Sequence, residues 1–204
     1  MKKLSTLFLL LAGIVMLSSS SPRLNYGIGD AVADFKLKNV DGRLVSLSDY
    51  KKSKGVIVIF DCNTCPYSKA YNSRIMALNK QYAAKDFPLV AINANDPSIS
   101  SGDSFEEMVS EAKRKKYDFP YLVDETQATA KAFGATNTPH VFVLKNDGGT
   151  FKVAYIGTID NSPRDEANVS KKYVEDAVNA ILGGKEVPAT TTKAVGCGIK
   201  WKNA

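Results

Sequence analysis

Three cysteines and one histidine are the only soft metal ligands in this 204-residue chain, and that scarcity removes a class of function at once. A closed structural zinc site takes about four such ligands. Cys62, Cys65, Cys197 and His140 would leave none to spare, no second cysteine pair exists, and His140 sits inside an apolar strand-like run, so no metal site is expected. No nucleotide, flavin or metal motif appears, so no cofactor is expected. There is no internal repeat, and no low-complexity segment beyond the serines at 18–21 and the threonines at 190–192. Charge of one sign is also modest. The net charge is +6, and Lys2 and Lys3 account for two of it, which does not call for nucleic acid. The densest basic run, residues 113–116, falls late in a predicted helix, where cations suit the carbonyl end of the dipole.

With 44% hydrophobic and 24% charged residues, the composition is that of one globular domain with a real core. The longest apolar segment, residues 4–17, is shorter than the about 20 residues that a spanning helix needs. Lys2-Lys3 precedes it and four serines follow it, the layout of a secretory signal peptide. We therefore expect a leader over 1–21 cut near Ser20, a domain over 22–184 and a tail over 185–204 that carries Cys197. The protein is expected to be exported, periplasmic or extracellular. A membrane is involved only if the leader stays attached, and a lipid anchor is disfavoured because no cysteine follows the apolar segment.

Asp61-Cys62-Asn63-Thr64-Cys65-Pro66 carries the chemistry. The apolar run at 55–60 delivers two cysteines to the start of a helical pattern. A helix N-terminus has unpaired N–H groups and partial positive charge, which stabilise a thiolate and lower its pKa from about 8.5. A spacing of two residues lets one sulfur attack a foreign disulfide and the other displace it. A fixed structural disulfide is the plainer alternative. Cys197 is left as an odd thiol, and it is read either as lying near the active-site end of the sheet or as buried and inert.

Residues 35–40 and 44–47 flank Asp41-Gly42 and read as a hairpin. Residues 56–60 lack polar alternation, as in a strand covered on both faces. Tyr71, Ile75, Leu78 and Tyr82 mark the next helix. Another buried strand covers 88–93, and a helix is expected to start at Asp103, with Glu106 at capping-box spacing and Phe105, Met108, Val109 and Ala112 on its apolar side. A short helix over 126–133 ends at Gly134. Strands at 141–144 and 151–156 flank a glycine turn, and a last helix stops at Gly183-Gly184. The order implies an α/β fold with a mixed central sheet flanked by helices and an N-terminal hairpin extension.

Residues 28–35, Asp41-Gly42, residues 46–50, the segment from Cys62 to Tyr67, Thr138-Pro139-His140 and the tail motif at 196–201 together resemble the thioredoxin-like superfamily. The similarity is to its redoxin branch of thiol-specific antioxidant and exported thiol–disulfide proteins. This resemblance implies a thioredoxin-like fold, with Cys62 as the exposed nucleophile and Cys65 as the resolving sulfur. It implies a cis Pro139, in place of a plain trans turn, and a Thr138 backbone free to pair with an extended substrate. The pair encloses Asn63-Thr64 instead of Gly-Pro, and Asp61 stands where thioredoxin has Trp. Asp61 either opposes thiolate formation by like charge or is simply solvated. His140 is either a neighbour of the pair that titrates near neutral pH or a ring packed at the sheet edge.

Three functions follow. The first is thiol–disulfide exchange with protein substrates and a redox partner protein. The second is hydroperoxide reduction, with Cys65-Pro66 in the local pattern of a peroxidatic cysteine and Cys62 or Cys197 condensing with its sulfenic acid. That pattern wants proline seven residues earlier, where Val58 stands. The third is a non-catalytic binding module with a static disulfide.

Overall fold

The computed structural model describes residues 25–202. The expected leader lies outside them, and among the described residues no helix is long and apolar enough to cross a membrane.

Strands β1 (Lys36–Asn39) and β2 (Leu44–Ser46) form the opening hairpin. Gly42 turns it at φ 85°, a conformation that L side chains resist. Then come β3 (Gly55–Phe60), α1 (Pro66–Tyr82), β4 (Leu89–Asn93), α2 (Phe105–Lys115) and β5 (Tyr121–Val123). The chain continues through α3 (Ala128–Phe133), β6 (Asn137–Thr138), β7 (His140–Asp147), β8 (Thr150–Gly157), α4 (Tyr173–Leu182) and β9 (Cys197–Gly198). The main sheet runs β2-β1-β5-β4-β3-β7-β8. β3, β4 and β5 are parallel, while β7 is antiparallel to both β3 and β8. This is the expected mixed sheet, and β1 joins it by pairing antiparallel with β5.

Both faces of β3 are buried, as the unbroken apolar run requires. Ile57 and Ile59 point into a core shared with α1, α2 and α4, whereas Val56, Val58 and Phe60 meet α3, the segment before β1 and Ile199 of the tail. Alternation along one strand thus sorts two cores. Gly55 opens β3 because a Cβ there would overlap the Leu144 carbonyl and the Phe87 ring.

Three readings need correction. β5 was not expected, because three residues between Pro120 and Asp124 show no periodicity. Asp103 does not cap α2. Ser104 does, its hydroxyl accepting the Glu107 N–H, and Ser104 with Glu107 is the better capping-box spacing. Val109 is 37% exposed, off the apolar face that Met108 and Ala112 define.

α1 is held against the far end of the sheet by a buried ion pair. Arg74 Nη1 donates to Asp160 Oδ2 at 2.6 Å and to the Ser162 carbonyl, and Tyr71 donates to Asp160 Oδ1 at 3.1 Å. Arg74→Met would leave the Asp160 carboxylate buried without its cation. The expected loss in urea denaturation is about 3–5 kcal/mol, and a loss below about 1 kcal/mol would show that the pair does not anchor α1.

Candidate active site

The site forms where β3 ends and α1 begins. Cys65 is the N-cap of α1 and Pro66 occupies N1, a position where the missing N–H costs nothing and the fixed φ suits the first turn. The first turn of α1 has no acidic residue, so nothing within that turn offsets the positive end of its dipole.

Asn63 and Thr64 are held in place by one carboxylate. Asp103 accepts hydrogen bonds from the Asn63 N–H at 2.7 Å and the Thr64 hydroxyl at 2.7 Å. It also accepts from Ser100 at 2.6 Å and the Asn95 amide at 2.9 Å. Burial works to raise its pKa, but the donors Ser100, Asn95, Thr64 and Asn63 hold it below the ordinary value of 3.8. Tyr121 donates to Asn63 Oδ1 at 2.9 Å and closes the inner side. Sequence reading missed this role because Asp103 was taken for a helix cap. The Ser104–Glu107 spacing was the signal that could have freed it.

Cys62 and Cys65 face the loop that carries a cis Thr138–Pro139 bond, the isomer that the resemblance implies. Cys62 Sγ lies 3.1 Å from Thr138 Oγ1, and Cys65 Sγ lies 3.1 Å from the Thr138 carbonyl oxygen, which accepts its proton when the thiol is neutral. The two thiols titrate together: the interaction between them makes the first proton easier to lose and the second harder, while burial and the negative charges of Asp61 and Asp103 oppose a thiolate at Cys62.

Neither sulfur is exposed. Cys62 is 4% and Cys65 2% accessible, which corrects the expectation of an open nucleophile. The cover is the tail: β9 pairs antiparallel with β6, placing Cys197 opposite Thr138. The Thr138 backbone expected to be free is therefore occupied by the chain itself. Cys197 is the half-buried member of the three, near Cys65, and its thiol is pushed up to about 11 by burial and by Cys65.

Asp61 is buried, not solvated, and its Oδ1 has no hydrogen-bond partner. Burial raises its carboxyl to about 6 despite bonds from Ser68 and the Cys62 amide. His140 lies on an interior strand opposite Phe60, with Nδ1 accepting the Thr136 N–H at 3.3 Å and its ring 4.7 Å from Phe142. Burial lowers its pKa to about 4, so it is neither at a sheet edge nor titrating near neutrality. Among the described residues no group of three His, Cys, Asp or Glu is placed to hold a metal ion.

Residues 28–156 match the AhpC/TSA family. The thiol-disulfide oxidoreductase ResA of Geobacillus thermodenitrificans is 25% identical over 129 residues, 62% of this chain and 68% of that one. An uncharacterized conserved protein from Geobacillus kaustophilus has a crystal structure that superposes with a TM-score of 0.82 at 36% identity, covering 88% of this chain and 94% of the other. A hypothetical protein from Sinorhizobium meliloti gives 0.81 at 32% identity, covering 88% and 97%. Solved redoxins of lower identity share the thioredoxin-like fold.

The two carboxyls beside the pair oppose each other in their effect on stability. Asp61 has a folded-state pKa above 3.8, so its contribution is full below that value and is lost as pH rises through about 6. Asp103 is depressed, so its contribution is present above 3.8 and is lost as pH falls through its lower folded value. Asp61→Asn should therefore stabilise the fold at about pH 7.5 by up to about 3 kcal/mol and change little near pH 4. Asp103→Asn should destabilise by about 1.5–3 kcal/mol at about pH 7.5. Urea titrations at both pH values check the pair, and equal effects at the two would refute the assignment.

Proposed function

Because the chain belongs to the AhpC/TSA family of thioredoxin-like redoxins, we propose that it is a thiol–disulfide oxidoreductase whose Cys62–Cys65 pair exchanges with protein thiols and disulfides. The observation that carries this reading is the placement of both sulfurs at the β3–α1 junction against the cis Thr138–Pro139 loop, with Cys62 Sγ 3.1 Å from the Thr138 hydroxyl and Cys65 Sγ 3.1 Å from the Thr138 carbonyl oxygen. A static disulfide needs no such asymmetry, whereas an exchange enzyme needs one sulfur ready to attack and leave and a second holding a proton. The name of the ResA relative, which shares 62% of the chain, supports the same chemistry.

In this arrangement the attacking sulfur is Cys62 and the resolving one is Cys65, the order that the resemblance implies. The Thr138 hydroxyl, 3.1 Å from Cys62 Sγ, can donate to a thiolate there, while the Cys65 thiol donates to the Thr138 carbonyl. Cys62 attacks one sulfur of a substrate disulfide, and the bond between the substrate sulfurs breaks as the first substrate thiolate leaves. Cys65 then attacks Cys62, releasing the second substrate thiol and closing the Cys62–Cys65 bond. Asp61, with its carboxyl near 6 and a free oxygen, takes the proton that Cys65 must give up for that second step. A redox partner protein restores the dithiol. No cofactor enters this cycle. The leader pattern at 1–21 supports an exported site of action.

Peroxide reduction is the second reading, favoured by Cys65 at the helix N-cap directly before Pro66. Cys65 would take oxygen from a hydroperoxide, releasing water or alcohol, and the sulfenic acid would condense with a thiol and lose water. Val58, buried within β3 where the peroxidatic pattern wants proline, weighs against it.

Insulin disulfide reduction with dithiothreitol separates the roles. Cys62→Ser and Cys65→Ser should each lower turnover by about 10²-fold or more. With Cys197 also replaced by alanine, so that no third thiol can resolve the intermediate, Cys65→Ser should accumulate a mixed disulfide with an insulin chain, and Cys62→Ser should not. Trapping in Cys62→Ser alone would move the attack to Cys65. Hydroperoxide turnover retained in Cys62→Ser, with no insulin reduction by the wild type, would favour the peroxidase.

A further inference from the structure

The active pair is sealed by a segment that itself ends the fold with a cysteine, and the way this segment is bound resembles a substrate more than a plug. β9 adds to the Thr138 edge as an antiparallel strand, the mode in which extended peptides add to exposed sheet edges. Asn137 Nδ2 donates to the Gly196 carbonyl at 3.1 Å, and the Ile199 N–H donates to the Thr136 carbonyl at 3.0 Å. Gly196 is held so close that a Cβ there would overlap the Thr138 carbonyl. Two buried amides receive the next residues: the Lys200 N–H donates to Asn95 Oδ1 at 2.9 Å, and Gln127 Nε2 donates to the Lys200 carbonyl at 2.8 Å. Ile199 completes the second core. Within this strand Cys197 lies opposite Thr138, whose carbonyl oxygen is 3.1 Å from Cys65 Sγ, so the third cysteine stands beside the pair. Of the three sulfurs Cys197 alone is half-buried.

We propose that Cys197 is a third exchange thiol, carried on a tethered strand that occupies the substrate position, and that it relays disulfide exchange between the sealed Cys62–Cys65 pair and an external protein thiol or disulfide. The inference rests on the reading of Cys62–Cys65 as the redox pair and adds the route by which that pair is reached.

The relay conserves electrons at each step. With the pair oxidised, Cys197 Sγ attacks Cys65 Sγ; the Cys65–Cys197 bond forms as the Cys62–Cys65 bond breaks. The electron pair leaves on Cys62, which takes the proton that Cys197 releases. Cys62 is well suited to hold it, being buried beside Asp61 and Asp103. The disulfide now ends at Cys197, where a thiol of a partner protein attacks. Cys65 departs as the thiolate, and the partner sulfur is left bonded to Cys197. The partner's second thiol then displaces Cys197, which leaves reduced while the partner carries the disulfide. Run backwards, the same steps reduce a foreign disulfide.

The test is disulfide mapping of the full chain after diamide oxidation, acid quench, alkylation and digestion without reductant, alongside insulin reduction. Wild type should give both Cys62–Cys65 and Cys65–Cys197 linkages, and Cys62→Ser should give Cys65–Cys197. Gly196→Ala keeps all three sulfurs but pushes β9 off Thr138. It should lose the Cys65–Cys197 linkage, retain Cys62–Cys65, and reduce insulin about 10-fold more slowly. Cys197→Ala should slow to the same degree. Unchanged or faster insulin reduction by Cys197→Ala, or no Cys65–Cys197 linkage in Cys62→Ser, overturns the relay and leaves the tail a simple cover. Failure of Cys62–Cys65 to form in both wild type and Cys197→Ala defeats the underlying redox reading instead.

Discussion

The junction of β3 and α1 governs this end of the molecule. It sets two buried sulfurs against the cis Thr138–Pro139 loop, Cys62 beside the Thr138 hydroxyl and Cys65, the N-cap of α1, beside the Thr138 carbonyl. β3 is fixed by apolar packing on two faces, so the residue after Phe60 has no freedom to move outward, and Asp61 enters the interior with it. The Arg74–Asp160 pair and the Asp103 clamp then fix the helix and the intervening loop. Burial of Asp61 makes its ionised form costly near neutral pH.

The C-terminal segment changes what kind of site this is. An open thioredoxin-like site presents a sulfur and a strand edge to solvent; here both are covered by residues of the same chain. The contacts are specific in type: a ladder pairing at Thr138, a glycine where only glycine fits, and side-chain amides that accept and donate to the Lys200 backbone. Backbone pairing of this sort is indifferent to side chains, so the glycine and the side-chain amides supply the specificity of the fit.

Much of the fold was legible because it rests on local patterns. The hairpin around Asp41-Gly42, the doubly buried strand before Asp61, the stripe of Tyr71, Ile75, Leu78 and Tyr82, and the glycine that stops α3 are each consequences of periodicity or backbone freedom over a few residues. The errors share a cause too. β5 is three residues long and β9 two, and such strands exist only through their partners. Asp103 and Ser104 compete as caps one residue apart, and the choice is made by Asn63, Thr64, Asn95 and Ser100, of which Asn63 and Thr64 are distant in sequence. The same holds for Asp61 and His140, where the sequence does not choose between two readings because remote segments decide their burial.

By itself, then, the sequence determined the chemistry available: two sulfurs spaced for exchange at the head of a helix, in a mixed sheet with a proline-bearing loop. Spacing and hydrophobic pattern are properties of neighbouring residues, so they survive without a structure. Only the tertiary structure decided that the pair is closed to solvent, that the Thr138 loop meets both sulfurs, and that Cys197 stands beside them. Those outcomes depend on hydrogen bonds and strand pairing between segments more than 50 residues apart, and no local pattern encodes them.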